Sequence, residues 1–123
     1  MSEVRSDLQR FRERIESLSG VTKAPHRFGG TEYHVQGMEF MHSHGDAHFD
    51  VRLPKEDQAR VLAEGKAERH QFAPEAGWVT VKIRSARDLE YAKEVVLLAY
   101  TRARSIMEDH LARRKASNII ADQ

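Results

Sequence analysis

Thr31-Glu-Tyr-His-Val-Gln-Gly-Met-Glu-Phe-Met-His-Ser-His-Gly-Asp-Ala-His-Phe-Asp-Val-Arg-Leu-Pro54 is the stretch that decides the fold of this chain. Apolar residues recur there at every second position. Thr31, Tyr33 and Val35 alternate with Glu32, His34 and Gln36; Met38 and Phe40 alternate with Glu39 and Met41; Ala47, Phe49, Val51 and Leu53 alternate with His48, Asp50 and Arg52. A period of two is that of a half-buried strand. Gln36-Gly37 and Gly45-Asp46 break the pattern with residues that tolerate positive φ, the second in the Gly-first order of a type II′ hairpin. Strands joined by two-residue loops are antiparallel, because parallel strands need a long crossover.

A two-residue Gly45-Asp46 loop pairs His44 with Ala47, Ser43 with His48, His42 with Phe49, Met41 with Asp50, Phe40 with Val51 and Glu39 with Arg52. This register gathers Met38, Phe40, Val51 and Leu53 on a buried face. It leaves Glu39 and Arg52 as a cross-strand ion pair on the other face. The Gln36-Gly37 turn, treated alike, sets His34 beside Glu39 and Glu32 beside Met41. The open face then carries His34, Glu39 and Arg52 with Glu32, Asp50, Ser43 and His48 adjoining.

Outward from this core the period lengthens. Val4, Leu8, Phe11, Ile15 and Leu18 form one helical stripe over about residues 3–18, with Gly20 as its stop. Pro54 ends the third strand and opens a helix over Lys55 to Glu64, with Val61 and Leu62 inward and Gly65 at the C-terminal cap. Pro74-Glu-Ala-Gly77 reads as a turn, and Trp78 to Arg84 alternates again with Val79, Val81 and Ile83 buried. Ser85-Ala-Arg-Asp88 resembles a capping box before a long helix over about 86–111, striped by Leu89, Ala92, Val96, Ala99, Ala103 and Ile106. Residues 112–123 read as a frayed tail. Further strands are expected near Lys23–Phe28 and Ala67–Phe72. One domain, 1–123, of α+β class results: an antiparallel sheet of about 4–6 strands with helices on one face, in the order α-β-β-β-α-β-α, the sheet and middle helix spanning about 21–84.

Composition narrows the function. With Lys plus Arg at 20 and Asp plus Glu at 19, the balance argues against a dedicated nucleic-acid binder, which carries a clear basic excess. The absence of cysteine excludes thiolate catalysis, disulfides and Cys-ligated zinc. The charged N-terminus lacks an apolar signal core and no apolar run approaches a membrane span, so a cytoplasmic chain with no membrane partner is expected. Arg102, Arg104, Arg113, Arg114 and Lys115 streak the last helix, but Glu108 and Asp109 interrupt them; a solvated face is the default reading and nucleic-acid binding the alternative.

Chemistry can concentrate only where His42, His44, His48, Asp46 and Asp50 crowd one hairpin. In the register above His42 and His44 point with the apolar face and His48 with the polar face, so three histidines of this hairpin cannot share a metal. His42 and His44 remain as two ligands at i and i+2, with a third to come from Asp46 or His70. Ser43, His48 and Asp50 form a nominal Ser-His-Asp set, without the elbow or oxyanion hole such chemistry needs. The leading reading is a non-enzymatic binding module, without a cofactor, whose open face of His34, Glu39, His48, Asp50, Arg52 and Trp78 meets a small ligand or protein. A metal-dependent protein using His42 and His44 is the alternative, and a homodimer through the terminal helices an expected assembly.

Several spaced blocks carry a family resemblance: Gly37-Met-Glu-Phe with His42-Ser-His-Gly45, then Phe49-Asp-Val-Arg-Leu-Pro54. Ala63-Glu-Gly-Lys-Ala-Glu-Arg-His70, Pro74-Glu-Ala-Gly-Trp-Val79 and Leu97-Leu-Ala-Tyr100 follow in order. Together they resemble the bacterial and fungal "luciferase family" domain, whose function is unassigned. The resemblance implies the fold and transfers no catalytic residue. The chain is far short of the ~250 residues of a (β/α)₈ barrel such as that of bacterial luciferases. "Leu-Pro" before the middle helix and "Gly-Trp-Val" at the last strand are also similar, more loosely, to MmcQ/YjbR-like proteins, which implies a small α+β domain with suspected nucleic-acid binding.

Overall fold

The computed structural model describes residues 2–71 and 74–121, the side chains of 2–4 and 120–121 apart. Val4, Phe72 and the last two residues of the expected tail therefore lie outside the described side chains or residues. The order is α1 (Ser2–Ser17), β1 (Val21–Pro25), β2 (Thr31–Val35), β3 (Met38–Ser43), β4 (His48–Arg52), α2 (Lys55–Ala63), β5 (Glu68–Arg69), β6 (Trp78–Lys82) and α3 (Ala86–Ala121). The six strands form one antiparallel sheet in the order β1-β2-β3-β4-β6-β5. Both additional strands expected from the sequence are present, β1 at an edge where the missing N–H of Pro25 is tolerated. No helix among the described residues is long and apolar enough to cross a membrane.

Two departures from strict alternation position everything that follows. The β2–β3 turn keeps its expected register, with Val35 opposite Met38 and His34 opposite Glu39, but Tyr33 then faces Met41, so Phe40 is an extra residue in β3. The bulge lets the adjacent Phe40 and Met41 both enter the core, with half-buried Met38 packed against it. The β3–β4 loop holds three residues, not two. The His44 amide donates to the His48 carbonyl at 3.0 Å, and Met41, His42 and Ser43 face Val51, Asp50 and Phe49. The expected register is thus one residue out, and the faces of β3 beyond the bulge are reversed. Ser43 pairs with Phe49 and Thr31 in a buried row rather than facing His48. The expected Glu39–Arg52 pair is replaced as well: Arg52 lies opposite Trp78 and donates from Nε to the Ala76 carbonyl at 3.3 Å.

The core row Tyr33–Met41–Val51–Val79 runs across four strands and is covered by α1 and α3. Phe11 of α1 meets Phe49 edge-on at 5.8 Å, and Tyr100 of α3 meets Phe40 at 5.7 Å. Such edge contacts add about 0.5–1.5 kcal/mol to area burial. Ala92, Ala99 and Ala103 let α3 lie close on the sheet. Its capping box forms with a shift: Ser85 Oγ accepts from the Asp88 amide, while the Asp88 carboxylate accepts from the Arg84 amide. The stripe of α3 ends earlier than expected, since Ile106 is exposed, and the helix continues to Ala121 through the stretch expected to fray.

Buried Asp57 ties α2 to α3 through Arg102 at 3.0 Å and to its own helix through Arg60 at 3.2 Å. Burial opposes its charge, but the hydrogen bonds from Arg102 and Arg60 outweigh this and hold its pKa below the usual carboxylate range. A depressed folded pKa contributes stability above the unfolded value, lost as pH falls through the folded one. Asp57→Asn is therefore expected to lower stability at pH 7 and to flatten the acid limb of the stability curve below about pH 4. Urea denaturation at stepped pH checks it; a parallel drop at every pH would assign the loss to packing instead.

Candidate functional site

Opposite the helices, the row Glu32–His42–Asp50–Thr80 crosses β2, β3, β4 and β6 directly above the core row. His34, Glu39, His48, Arg52 and Trp78 share that face by the same alternation. The β1–β2 connection brings His26 over it. That loop is pressed so close to β3 that a Cβ on Gly30 would lie 2.6 Å from the Ser43 carbonyl oxygen. His26 consequently stacks on His42, ring centres 4.1 Å apart. His70, just after β5, closes the other side, and Trp78 lies 4.7 Å from the His42 ring and 6.2 Å from that of His70.

Asp50 is the hub. Its Oδ1 accepts from the Thr80 hydroxyl at 2.6 Å and lies 3.2 Å from His48 Nε2. Its Oδ2 is 3.0 Å from His42 Nε2, 3.4 Å from His44 Nε2 and 3.6 Å from His70 Nε2. Burial works against the Asp50 carboxylate, yet the hydrogen bonds from His42 and Thr80 and the charges of His48 and His42 prevail and hold its pKa far below normal. A second carboxylate, Glu32, is shared by His26 Nδ1 at 2.9 Å and His34 Nε2 at 3.0 Å. The His26 bond lowers its pKa most, against burial. Glu39 moves the other way: burial, then the neighbouring Glu32, raise its pKa. Its Oε2 and His42 Nδ1 lie 3.6 Å apart, both buried and without a hydrogen-bond partner. Burial, followed by the surrounding imidazoles against the pull of Asp50, lowers the His44 pKa.

All eight residues singled out from the sequence therefore have an assigned place. His34, Glu39, His48, Asp50, Arg52 and Trp78 share the open face as expected, with Arg52 turned toward Ala76. His42 and His44, expected with the apolar face, approach Asp50 instead, because the bulge at Phe40 and the longer β3–β4 loop reverse their parity. His42 and His44 approach Asp50 Oδ2 while His48 lies against Oδ1, so the three histidines of the hairpin meet one carboxylate without converging on a single point. Of the two third ligands considered, Asp46 is bonded to Arg12, whereas His70 approaches Asp50. Three participants escaped sequence reading: His26, Thr80 and the loop that seats His26. Their positions depend on which strands neighbour which, and no local pattern encodes that.

The Luciferase domain profile matches residues 37–99, about half of the chain, from the β2–β3 turn into α3. The chain belongs to the Luciferase domain family. No curated protein and no solved structure matches it. The matched span of this Luciferase-family domain contains His42, His44, His48, Asp50, His70, Trp78 and Thr80; His26, Glu32 and His34 precede it.

Proposed function

We propose that this Luciferase-family domain is a non-enzymatic binding module that works through the open face of its sheet. One observation carries the reading. His26, His34, His42, His44, His48 and His70, out of seven histidines in the chain, converge with Glu32, Glu39, Asp50 and the sole tryptophan on the face that the helices leave uncovered. Titratable groups gathered and partly desolvated on one face are the mark of a binding site, and two buried atoms among them, Glu39 Oε2 and His42 Nδ1, have no hydrogen-bond partner among the described residues. The non-enzymatic part is supported by Ser43, the hydroxyl the sequence set beside a histidine, being turned into the buried row away from His48.

Amide chemical-shift mapping with inorganic phosphate, citrate, adenosine monophosphate and Zn(II) tests the proposal. At least one probe is expected to shift residues 32–34, 39–42, 48–52 and 78 while the helices stay still, and each organic probe should be recovered unchanged. His48→Ala with Arg52→Ala should weaken that probe while costing within about 1 kcal/mol of stability, the usual range for surface changes. Shifts confined to α1 and α3, or turnover of a probe, overturn the reading.

A further inference from the structure

We propose that His42, Asp50 and His70 bind a divalent transition-metal ion of the zinc class, with His44 as the fourth ligand. The inference rests on the open-face reading above and names the ligand of that face.

Three imidazole nitrogens surround Asp50 Oδ2 at distances of 3.0–3.6 Å. Of the three imidazole nitrogens aimed at this one oxygen, only His42 at 3.0 Å is within bonding distance; His44 at 3.4 Å and His70 at 3.6 Å are too far. As metal donors the same distances are ordinary. Ligand atoms set tetrahedrally 2.0–2.2 Å from zinc lie about 3.3–3.6 Å from one another. The donor atoms of His42, Asp50 and His70 all fall within 4.8 Å of each other. Ring orientation agrees. A ring nitrogen's lone pair lies in the ring plane, so two imidazoles can share a metal only where their planes converge on it, which face-to-face stacking forbids; His42 stands at 88° to His70 and 80° to His44, stacked on neither.

A rival trio, His26, His42 and His44, is equally compact. It fails on the same criterion, because His26 and His42 are stacked with planes only 14° apart and cannot aim both lone pairs at one ion. The rest of the shell fits the Asp50 site. Metal-bound histidines donate their far N–H to a carboxylate or carbonyl. His42, nine-tenths buried, has an unpartnered Nδ1 facing the unpartnered Glu39 Oε2. With Nδ1–H turned to Glu39, the Nε2 lone pair faces the Asp50 oxygen, a repulsive pairing that an intervening cation converts into two bonds. Thr80 and His48 hold the other Asp50 oxygen and so fix which one is presented. Three imidazoles with one carboxylate suit zinc, nickel, copper or iron over magnesium or calcium, which prefer all-oxygen shells.

The test is calorimetric titration of chelator-treated protein with Zn(II), repeated with Co(II) followed by visible absorption, which reports coordination geometry. One equivalent is expected, with a tetrahedral cobalt spectrum and no competition from Mg(II). His70→Ala and Asp50→Asn should each weaken zinc binding at least tenfold, and Glu39→Ala 10–100-fold as an outer partner. His110→Ala, on the exposed part of α3, should leave it unchanged. Should Asp50→Asn not fold by circular dichroism, His70→Ala decides alone, since it lies outside the strands. Folded wild type that takes up no zinc overturns the proposal. So does full affinity in His70→Ala, or loss in His26→Ala with retention in His70→Ala. Failure here with phosphate, citrate or nucleotide still mapping to the open face leaves the binding module standing; zinc bound while the mapping shows the helical face overturns both.

Discussion

Gly77→Ala is expected to cost about 3 kcal/mol or more, a loss that only a specific clash or strain produces in a single substitution. Gly77 sits at φ +91 between the Pro74–Ala76 turn and β6. A Cβ there would lie 2.1 Å from the Leu53 carbonyl oxygen. Neither partner can give way easily. The Leu53 amide donates to the Gly77 carbonyl at 3.0 Å, and Gln58 Nε2 clamps the Pro74 and Trp78 carbonyls at 2.6 and 3.2 Å. Backbone is thus pressed on backbone at the point where β4 ends, α2 begins and Trp78 enters the open face. Gly65→Ala separates the two contributions. Gly65 is also left-handed, at φ +72, but nothing lies within 4 Å of where its Cβ would be. It should show only the left-handed penalty of about 1–2 kcal/mol. Urea denaturation of both variants measures the difference, and equal losses would show that the Leu53 contact contributes nothing.

The same junction shows how much of the fold the sequence carries. Pro74-Glu-Ala-Gly77 was readable as a turn because Pro and Gly restrict or free φ locally, and Pro54 and Gly65 bracket α2 for the same reason. The β2–β3 hairpin was readable from Gln36-Gly37, which take φ of +51 and +87. Parity beyond Phe40 was not. Alternation counts residues faithfully only until one is inserted, and Phe40 next to Met41, two apolar residues in succession, is the only trace the bulge leaves. Adding Ala47 to the next loop has the same effect on β3 relative to β4. Both changes fall between His34 and Asp50, which is why alternation marks the open face yet puts His42 and His44 on the wrong side of it. The end of α3 posed the opposite problem: Ile106 fits the helical stripe perfectly well in sequence, yet the packed sheet ends at the turn of Ala103. Periodicity gives direction and says nothing of how far the partner surface extends.

Asp50→Ala is the substitution with the widest expected consequences. In the folded chain the carboxylate is the acceptor for the Thr80 hydroxyl and the partner of His42 and His48, and its side chain is only 5% exposed. Removing it strands Thr80 and His42, both buried. A buried group left without its partner costs about 1–3 kcal/mol, so a loss of about 3 kcal/mol is expected for the pair. Asp50→Asn should lose less, because its amide oxygen can still accept from Thr80. The order wild type, Asn, Ala in stability is the signature of hydrogen-bond loss. Ala as stable as wild type would mean that crowding the imidazoles round the carboxylate already costs what those bonds contribute. Zinc separates structure from ligand. An ion bound to the folded state at a hundred times its Kd raises stability by about 2.7 kcal/mol. That increment is expected in wild type and should fall by about half or more in both Asp50 variants, even in Asn, whose shape is conserved, because a tenfold weaker site leaves about 1.4 kcal/mol of it. A variant that keeps its fold and loses that share of the increment places the metal on the Asp50 oxygen itself, since neither packing nor hydrogen bonding distinguishes Asn from Asp so sharply.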